Sequence, residues 1–151
     1  IFDDEVQAFG RTGSLFAFDY YGLNDYVDIV SVGKLSQVCA TLFRKELNPR
    51  PGLLSQTFTS STIAIRAGIT IINELLRGNY FGKNGKIEQL HSHFAGQLQS
   101  MHQRYPELIQ GPFGVGAMVG FTPFGGDKEK VTRFTLQLFD NGVMSFIAGS
   151  E

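Results

Sequence analysis

The chain opens with two apolar residues, Ile1 and Phe2, that run directly into the polar stretch Asp3-Asp4-Glu5-Val6-Gln7. This pattern predicts a strand whose C-terminal end turns polar, followed by a turn at Gly10-Arg11-Thr12-Gly13. Polar strand ends of α/β folds commonly face a ligand. A second run, Val27-Asp28-Ile29-Val30-Ser31-Val32, is rich in β-branched residues and is closed by Gly33-Lys34. Residues 38–43 read as a third strand, and Asn48-Pro49-Arg50-Pro51-Gly52 then forces a loop.

Beyond this loop the apolar period changes to three and four. Ser60, Ser61 and Thr62 offer N-caps for a helix through Ile63, Ala67, Ile71 and Leu75, which Gly78 can end. Its apolar residues occupy more than one face, as burial inside a larger protein would require. After the turn-rich stretch 82–85, Ile87, Leu90, Phe94, Leu98 and Met101 predict a one-sided amphipathic helix stopped by Pro106. Residues 115–121 read as a strand, Asp127 as the cap of a helix carrying Val131, Phe134 and Leu138, and residues 143–148 as a further strand. The change near residue 80, from Ile-rich buried elements to elements with one polar face, predicts a domain boundary between 1–80 and 81–151. There is no internal repeat and no low-complexity tract.

Composition narrows the classes. A chain of 151 residues can bury roughly two thirds of its unfolded surface. With 42% hydrophobic and 18% charged residues it has the makings of a packed core, and disorder is not expected. Thirteen basic residues against fourteen acidic ones give no field to gather nucleic acid or acidic lipid. The single cysteine, Cys39, cannot close an internal disulfide, and a reducing cytoplasm is the expected compartment. No apolar run reaches the roughly 18 residues of a membrane span, since Arg66, Asn73 and Glu74 interrupt residues 63–76. The first residue already lies within an apolar segment, without an initiator Met or targeting sequence, and reads as the middle of a longer protein.

Few residues invite chemistry. His91 and His93 lie two apart on a helix, about 200° around its axis, so they cannot share a metal ion and are expected to be solvated. No metal site is expected. The glycine-rich stretch 111–120 fits neither dinucleotide nor P-loop spacing and reads as a turn and a close-packed strand. Cys39 has no neighbouring base in sequence and is expected to be an inert buried thiol. Lys34 is different: it ends a buried strand, where packing gives a lysine no reason to be. Asp3-Asp4-Glu5-Val6-Gln7 at one strand end, Lys34 at another and a Ser/Thr cluster at 55–62 would supply an acid, an amine and an anion cradle.

Phe2-Asp3-Asp4-Glu5-Val6-Gln7, then Phe9-Gly10-Arg11-Thr12-Gly13 and Leu15-Phe16-Ala17-Phe18, resemble the FDEVQ, TGFGRTG and LFA signature of class III aminotransferases. Asp28-Ile29-Val30 through Lys34 is similar to that family's strand ending in the cofactor lysine, and Ser55-Gln56-Thr57-Phe58-Thr59 to its short Thr-Phe segment before a long helix. The resemblance implies an α/β fold of the pyridoxal-phosphate-dependent fold type I, aspartate-aminotransferase-like. Residues 1–80 would be the C-terminal part of the large cofactor-binding domain and 81–151 part of the small domain.

The same resemblance implies a role for each matched residue. Lys34 would form the internal aldimine with pyridoxal 5′-phosphate and then move the substrate proton. Asp4 would keep the pyridine nitrogen protonated, Val6 would pack on the ring face, and Gln7 would lie near the phenolic oxygen. Thr57 would bind the phosphate of the neighbouring subunit's cofactor, implying a homodimer. The family pattern has one Asp where this chain has Asp3-Asp4, and one residue more before Phe9-Gly10. Strand alternation favours Asp4 for the pyridine nitrogen, while counting back from Phe9-Gly10 favours Asp3. Ser61 stands where the family often has Asn.

The implied reaction moves an amino group from an ω-amino or α-amino donor to a keto acid such as 2-oxoglutarate. The run Gly33-Lys34-Leu35-Ser36-Gln37-Val38-Cys39 leans toward the lysine and 4-aminobutyrate transaminase branch. The family's main phosphate loop, its ring-covering aromatic residue and its carboxylate-binding Arg have no counterpart here. The 151 residues alone are therefore expected to be inactive and to bind the cofactor weakly. The alternative is a noncatalytic α/β binding or assembly module in which Lys34 is structural.

Overall fold

In the computed structural model, residues 1–53 and 61–149 are described. Three strands, β1 (Phe2–Asp3), β2 (Ile29–Val32) and β3 (Ala40–Phe43), form one sheet in the order β1-β2-β3. β1 runs parallel to β2, with Phe2 opposite Val30 and Asp3 opposite Ser31. β3 returns antiparallel, from Val32 opposite Ala40 to Ile29 opposite Phe43. Inward-facing Val30 and Val32 are buried beside Ala8, Phe9 and Leu75, with Phe16, Phe18, Ile71 and Ile72 packed around them. Phe16 stacks on Phe18 with ring centres 5.1 Å apart, a spacing at which offset aromatic pairs attract.

The first strand is shorter than its sequence pattern. After Asp4 donates its N–H to the Ser31 carbonyl at 3.0 Å, the Ala8 N–H turns back onto the Asp4 carbonyl at 3.0 Å. Residues 5–13 therefore form turns, with Phe9, Gly10 and Gly13 at positive φ. The two-residue alternation that put Asp4 and Val6 on one strand face has no strand to act on there. Ala17–Tyr20 form a single helical turn, α1, that the apolar pattern did not predict.

Helix α2 (Thr62–Arg77) follows its sequence signals at both ends. The Ser61 hydroxyl accepts the Ala64 N–H at 3.1 Å, and the Gly78 N–H bonds the Glu74 carbonyl at 2.7 Å. Helix α3 (Lys86–Arg104) ends just before Pro106, and α4 (Lys128–Asp140) starts from Asp127, whose carboxylate accepts the Lys130 N–H at 3.0 Å. Strands β4 (Ile109–Val115) and β5 (Met118–Pro123) make a two-stranded sheet. The glycine-rich 111–120 stretch thus spans both strands of a hairpin, where a turn and one strand were expected. The strand expected at 143–148 is absent. Its Val143, Met144, Phe146 and Ile147 are all exposed, and an extended segment without a neighbouring strand has no partner for its backbone hydrogen bonds.

The chain divides into two compact units, one of Ile1–Ser92 with Val115–Met118 and the other of His93–Gly114 with Val119–Glu151. The compositional change lies near residue 80, whereas the first unit continues through the first turns of α3. Ile87 is what binds that turn to the first unit: it is buried, and its side chain lies against Gly10. In the second unit, Phe134 of α4 packs edge-on to both Phe121 and Phe124, with ring centres 6.4 and 5.6 Å apart.

Candidate functional site

The parallel pairing of β1 and β2 fixes the site. Because Asp3 lies opposite Ser31 and the Asp4 N–H bonds the Ser31 carbonyl, Asp4 and Lys34 emerge at the same, C-terminal end of adjacent parallel strands. That is where open α/β sheets bind ligands. Asp4 is fully buried. One carboxylate oxygen, Oδ2, accepts the Ala17 N–H at the start of α1 at 2.8 Å, whereas Oδ1 has no hydrogen-bond partner. Burial pushes the Asp4 carboxyl above its ordinary value; the Ala17 N–H opposes this, and the charges of Asp19 and Asp3 add to it. Asp3 differs on every count: it is exposed, and its Oδ1 accepts the Ser31 hydroxyl at 3.0 Å and the Glu5 N–H at 3.2 Å.

Lys34 begins a 3-10 turn, Lys34–Ser36, immediately after the buried Val32 and Gly33. Its side chain is exposed, and its backbone is left-handed, with φ 57°. Gln37, at the far end of the turn, is also left-handed, with φ 60°, and bonds the Lys34 carbonyl twice. Its backbone N–H reaches that oxygen at 3.2 Å and its Nε2 at 3.1 Å. The Ser36 hydroxyl is buried and donates to the Val38 carbonyl at 2.7 Å. Helix α2 passes behind this turn at Gly68, where an added Cβ would run into the Ser36 carbonyl oxygen.

Of the remaining residues singled out in the sequence, Val6 and Gln7 lie on the turn that follows Asp4, Val6 exposed and Gln7 half-buried. Thr57 lies outside the described residues. Among the described residues no group of three or more His, Cys, Asp or Glu could hold a metal ion. Two side chains depart from expectation. Cys39 is exposed rather than buried, since it sits in the bend between the Lys34 turn and β3. His91 is not a solvated helix residue: it is half-buried, and its Nδ1 bonds the Gly116 carbonyl at 2.8 Å, which only a protonated Nδ1 can do.

Sequence reasoning passed over Ser36, Gln37 and Gly68 as parts of the lysine turn. One signal was available for Gly68. A glycine inside a helix is unfavourable by roughly 1 kcal/mol relative to alanine, and such a residue commonly marks a close approach of two backbones.

An amine and a buried, half-satisfied carboxylate thus stand at one end of a parallel strand pair. The aminotransferase class-III family model matches residues 1–151, and the chain belongs to that family. It is 26% identical over 152 residues to an acetylornithine aminotransferase of Caldanaerobacter subterraneus subsp. tengcongensis, covering 93% of this chain and 35% of that protein. Another acetylornithine aminotransferase, from Oceanobacillus iheyensis, is 33% identical over 124 residues, covering 78% of this chain and 30% of that protein. A lysine aminotransferase from M. tuberculosis, solved in the internal aldimine form, shares the fold with a TM-score of 0.78 at 23% identity. That match covers 97% of this chain and 34% of the solved one. The chain thus spans about a third of the length of the relatives it matches. Among the described residues no helix is long and apolar enough to cross a membrane.

Proposed function

We propose that this chain is the cofactor-lysine segment of a pyridoxal-phosphate-dependent aminotransferase that moves an amino group from an ω-amino donor to a keto acid such as 2-oxoglutarate. The carrying observation is the buried Asp4 oxygen without a partner, at the strand end shared with Lys34, in a chain matched throughout by the family model. The residues present fit the cofactor. Lys34 offers an exposed amine for its aldehyde, and the orphaned Oδ1 of Asp4 offers an acceptor for its ring N–H. The cofactor, when bound, supplies an electron sink for the carbanion left when the donor loses its Cα proton.

This chain's residues do the rest. Lys34 Nζ would hold the cofactor through its aldehyde and would serve as the base that takes the proton from the donor's Cα. Asp4 would keep the ring nitrogen protonated. Asp3 is the poorer choice for that task, because its carboxylate is already engaged with Ser31 and Glu5 and faces solvent. Val6, exposed after Asp4, would cover a ring face, and Gln7 would stand near the phenolic oxygen. Thr57 would reach the phosphate held by the other subunit of a cytoplasmic homodimer. Residues 1–80 would then belong to the large domain and 81–151 to the small one. The ω-amino donor class rests on the acetylornithine and lysine aminotransferases named above.

The test is an absorbance titration of the full-length protein carrying this chain with pyridoxal phosphate, beside Lys34→Ala. A visible-edge band that disappears with Lys34→Ala and shifts on adding an ω-amino donor is the expected result. A folded protein that develops no such band would overturn the proposal and leave a noncatalytic α/β module in its place.

A further inference from the structure

The turn that carries Lys34 is strained at both ends. Lys34 and Gln37 have φ of 57° and 60°, a left-handed backbone that costs an ordinary residue on the order of 1 kcal/mol. Such a conformation persists only where its surroundings hold it. Two features do so here. From one side Gln37 closes on the Lys34 carbonyl with both its backbone N–H and its side-chain amide. From the other, Gly68 lets the backbone of α2 come up against Ser36, at a distance that leaves no room for a Cβ. The Lys34 side chain is exposed. Its direction is therefore inherited from the backbone of this turn.

We propose that Gln37 and Gly68 are positioning residues for Lys34, locking its backbone left-handed so that Nζ is presented at the strand end near Asp4. Neither touches the reacting atoms. The inference rests on the reading of Lys34 as the cofactor lysine. Its logic is that a long flexible amine, which carries about 2 kcal/mol of rotamer entropy, reacts efficiently only from a fixed root.

The experiment uses the full-length protein carrying this chain, as wild type, Gln37→Val, Gln37→Asn and Gly68→Ala. Nζ condenses with the cofactor aldehyde with loss of water, and borohydride reduces the resulting C=N bond to a stable secondary amine. Peptide mass spectrometry then locates and times the linkage at Lys34, and the pH at which its absorption band titrates is recorded beside it. Valine cannot take up the left-handed backbone, whereas asparagine can. Gln37 is exposed, so the fold should survive either change. Gln37→Val and Gly68→Ala should slow the linkage by roughly tenfold or more, on the scale of a misplaced reacting group, and move the titration of the band. Gln37→Asn should restore most of the rate.

Wild-type rates and titration in a folded Gln37→Val would overturn the inference even if Gly68→Ala fails to fold. A wild type that forms no linkage at Lys34 would remove the underlying reading, and this inference with it. Linkage in the wild type that Gln37→Val and Gly68→Ala both match would remove the inference alone.

Discussion

At Asp4 burial opposes ionisation, and only one of the two carboxylate oxygens is compensated, by the Ala17 N–H at 2.8 Å. Its carboxyl is held above its ordinary value, so in the interval between the two the folded chain binds more protons than the unfolded one. Stability must then fall as pH rises through that interval and stay lower above it. Asp4→Asn removes the charge and keeps the acceptor for Ala17. In the cofactor-free chain it should raise stability at neutral pH by about 1 kcal/mol, the scale of an unsatisfied buried group. The gain should vanish in acid, where Asp4 is itself neutral; thermal melts of both proteins across pH check this. In the full-length enzyme the same substitution should lower kcat by roughly a hundredfold or more, as loss of a charge-stabilising group does. Gaining stability while losing turnover would separate Asp4 from an ordinary core residue. Lys34 stood out in the sequence because a lysine closing a buried strand needs an explanation. The burial of Asp4 did not, because it depends on the chain returning thirteen residues later at Ala17.

The helices were legible at the scale of elements because their ends are written in single residues, Ser61 and Gly78 for α2 and Asp127 for α4. The two N-caps should fail differently. Ser61→Ala removes a neutral acceptor and should cost about 1 kcal/mol at any pH. At Asp127 the Lys130 N–H holds the carboxyl below its ordinary value. Its contribution is complete above that ordinary value and is lost as pH falls through the lowered one. Amide exchange at the first turns of α2 and α4, followed from neutral to acid, should show α4 opening with acid and α2 opening equally throughout in Ser61→Ala. Elements that rest on distant partners were less legible. Residues 143–148, apolar but for Ser145, read as a strand yet form none, and the 111–120 glycines, read as turn and strand, build a hairpin. The tip of that hairpin is set by Gly116, at φ +57°, against the Arg11 and Thr12 backbone, a contact with residues a hundred positions earlier. Gly116→Ala combines a left-handed backbone with this clash and should destabilise by roughly 1–3 kcal/mol, read as a lower denaturant midpoint.

Across the whole molecule, each unit leaves large apolar side chains in water. On the first, Ile63 and Leu76 of α2 are 83% and 59% exposed; on the second, Met144 and Phe146 are 73% and 89% exposed. Large apolar side chains left in water favour association with other protein, and the relatives this chain matches are about three times its length. Asp4 and Lys34 provide an acid and an amine, but a phosphate dianion needs several N–H or O–H donors converging on it, and Thr57 is proposed to serve the other subunit's cofactor. The isolated 151 residues should therefore bind an environment-sensitive hydrophobic dye strongly and lose pyridoxal phosphate on dialysis. The full-length protein should do the reverse, binding little dye and keeping a band that only borohydride or an amino donor removes. Retention of the cofactor by the isolated chain through dialysis would show that Lys34 and Asp4 suffice to hold it, and would count against the division of the site between subunits.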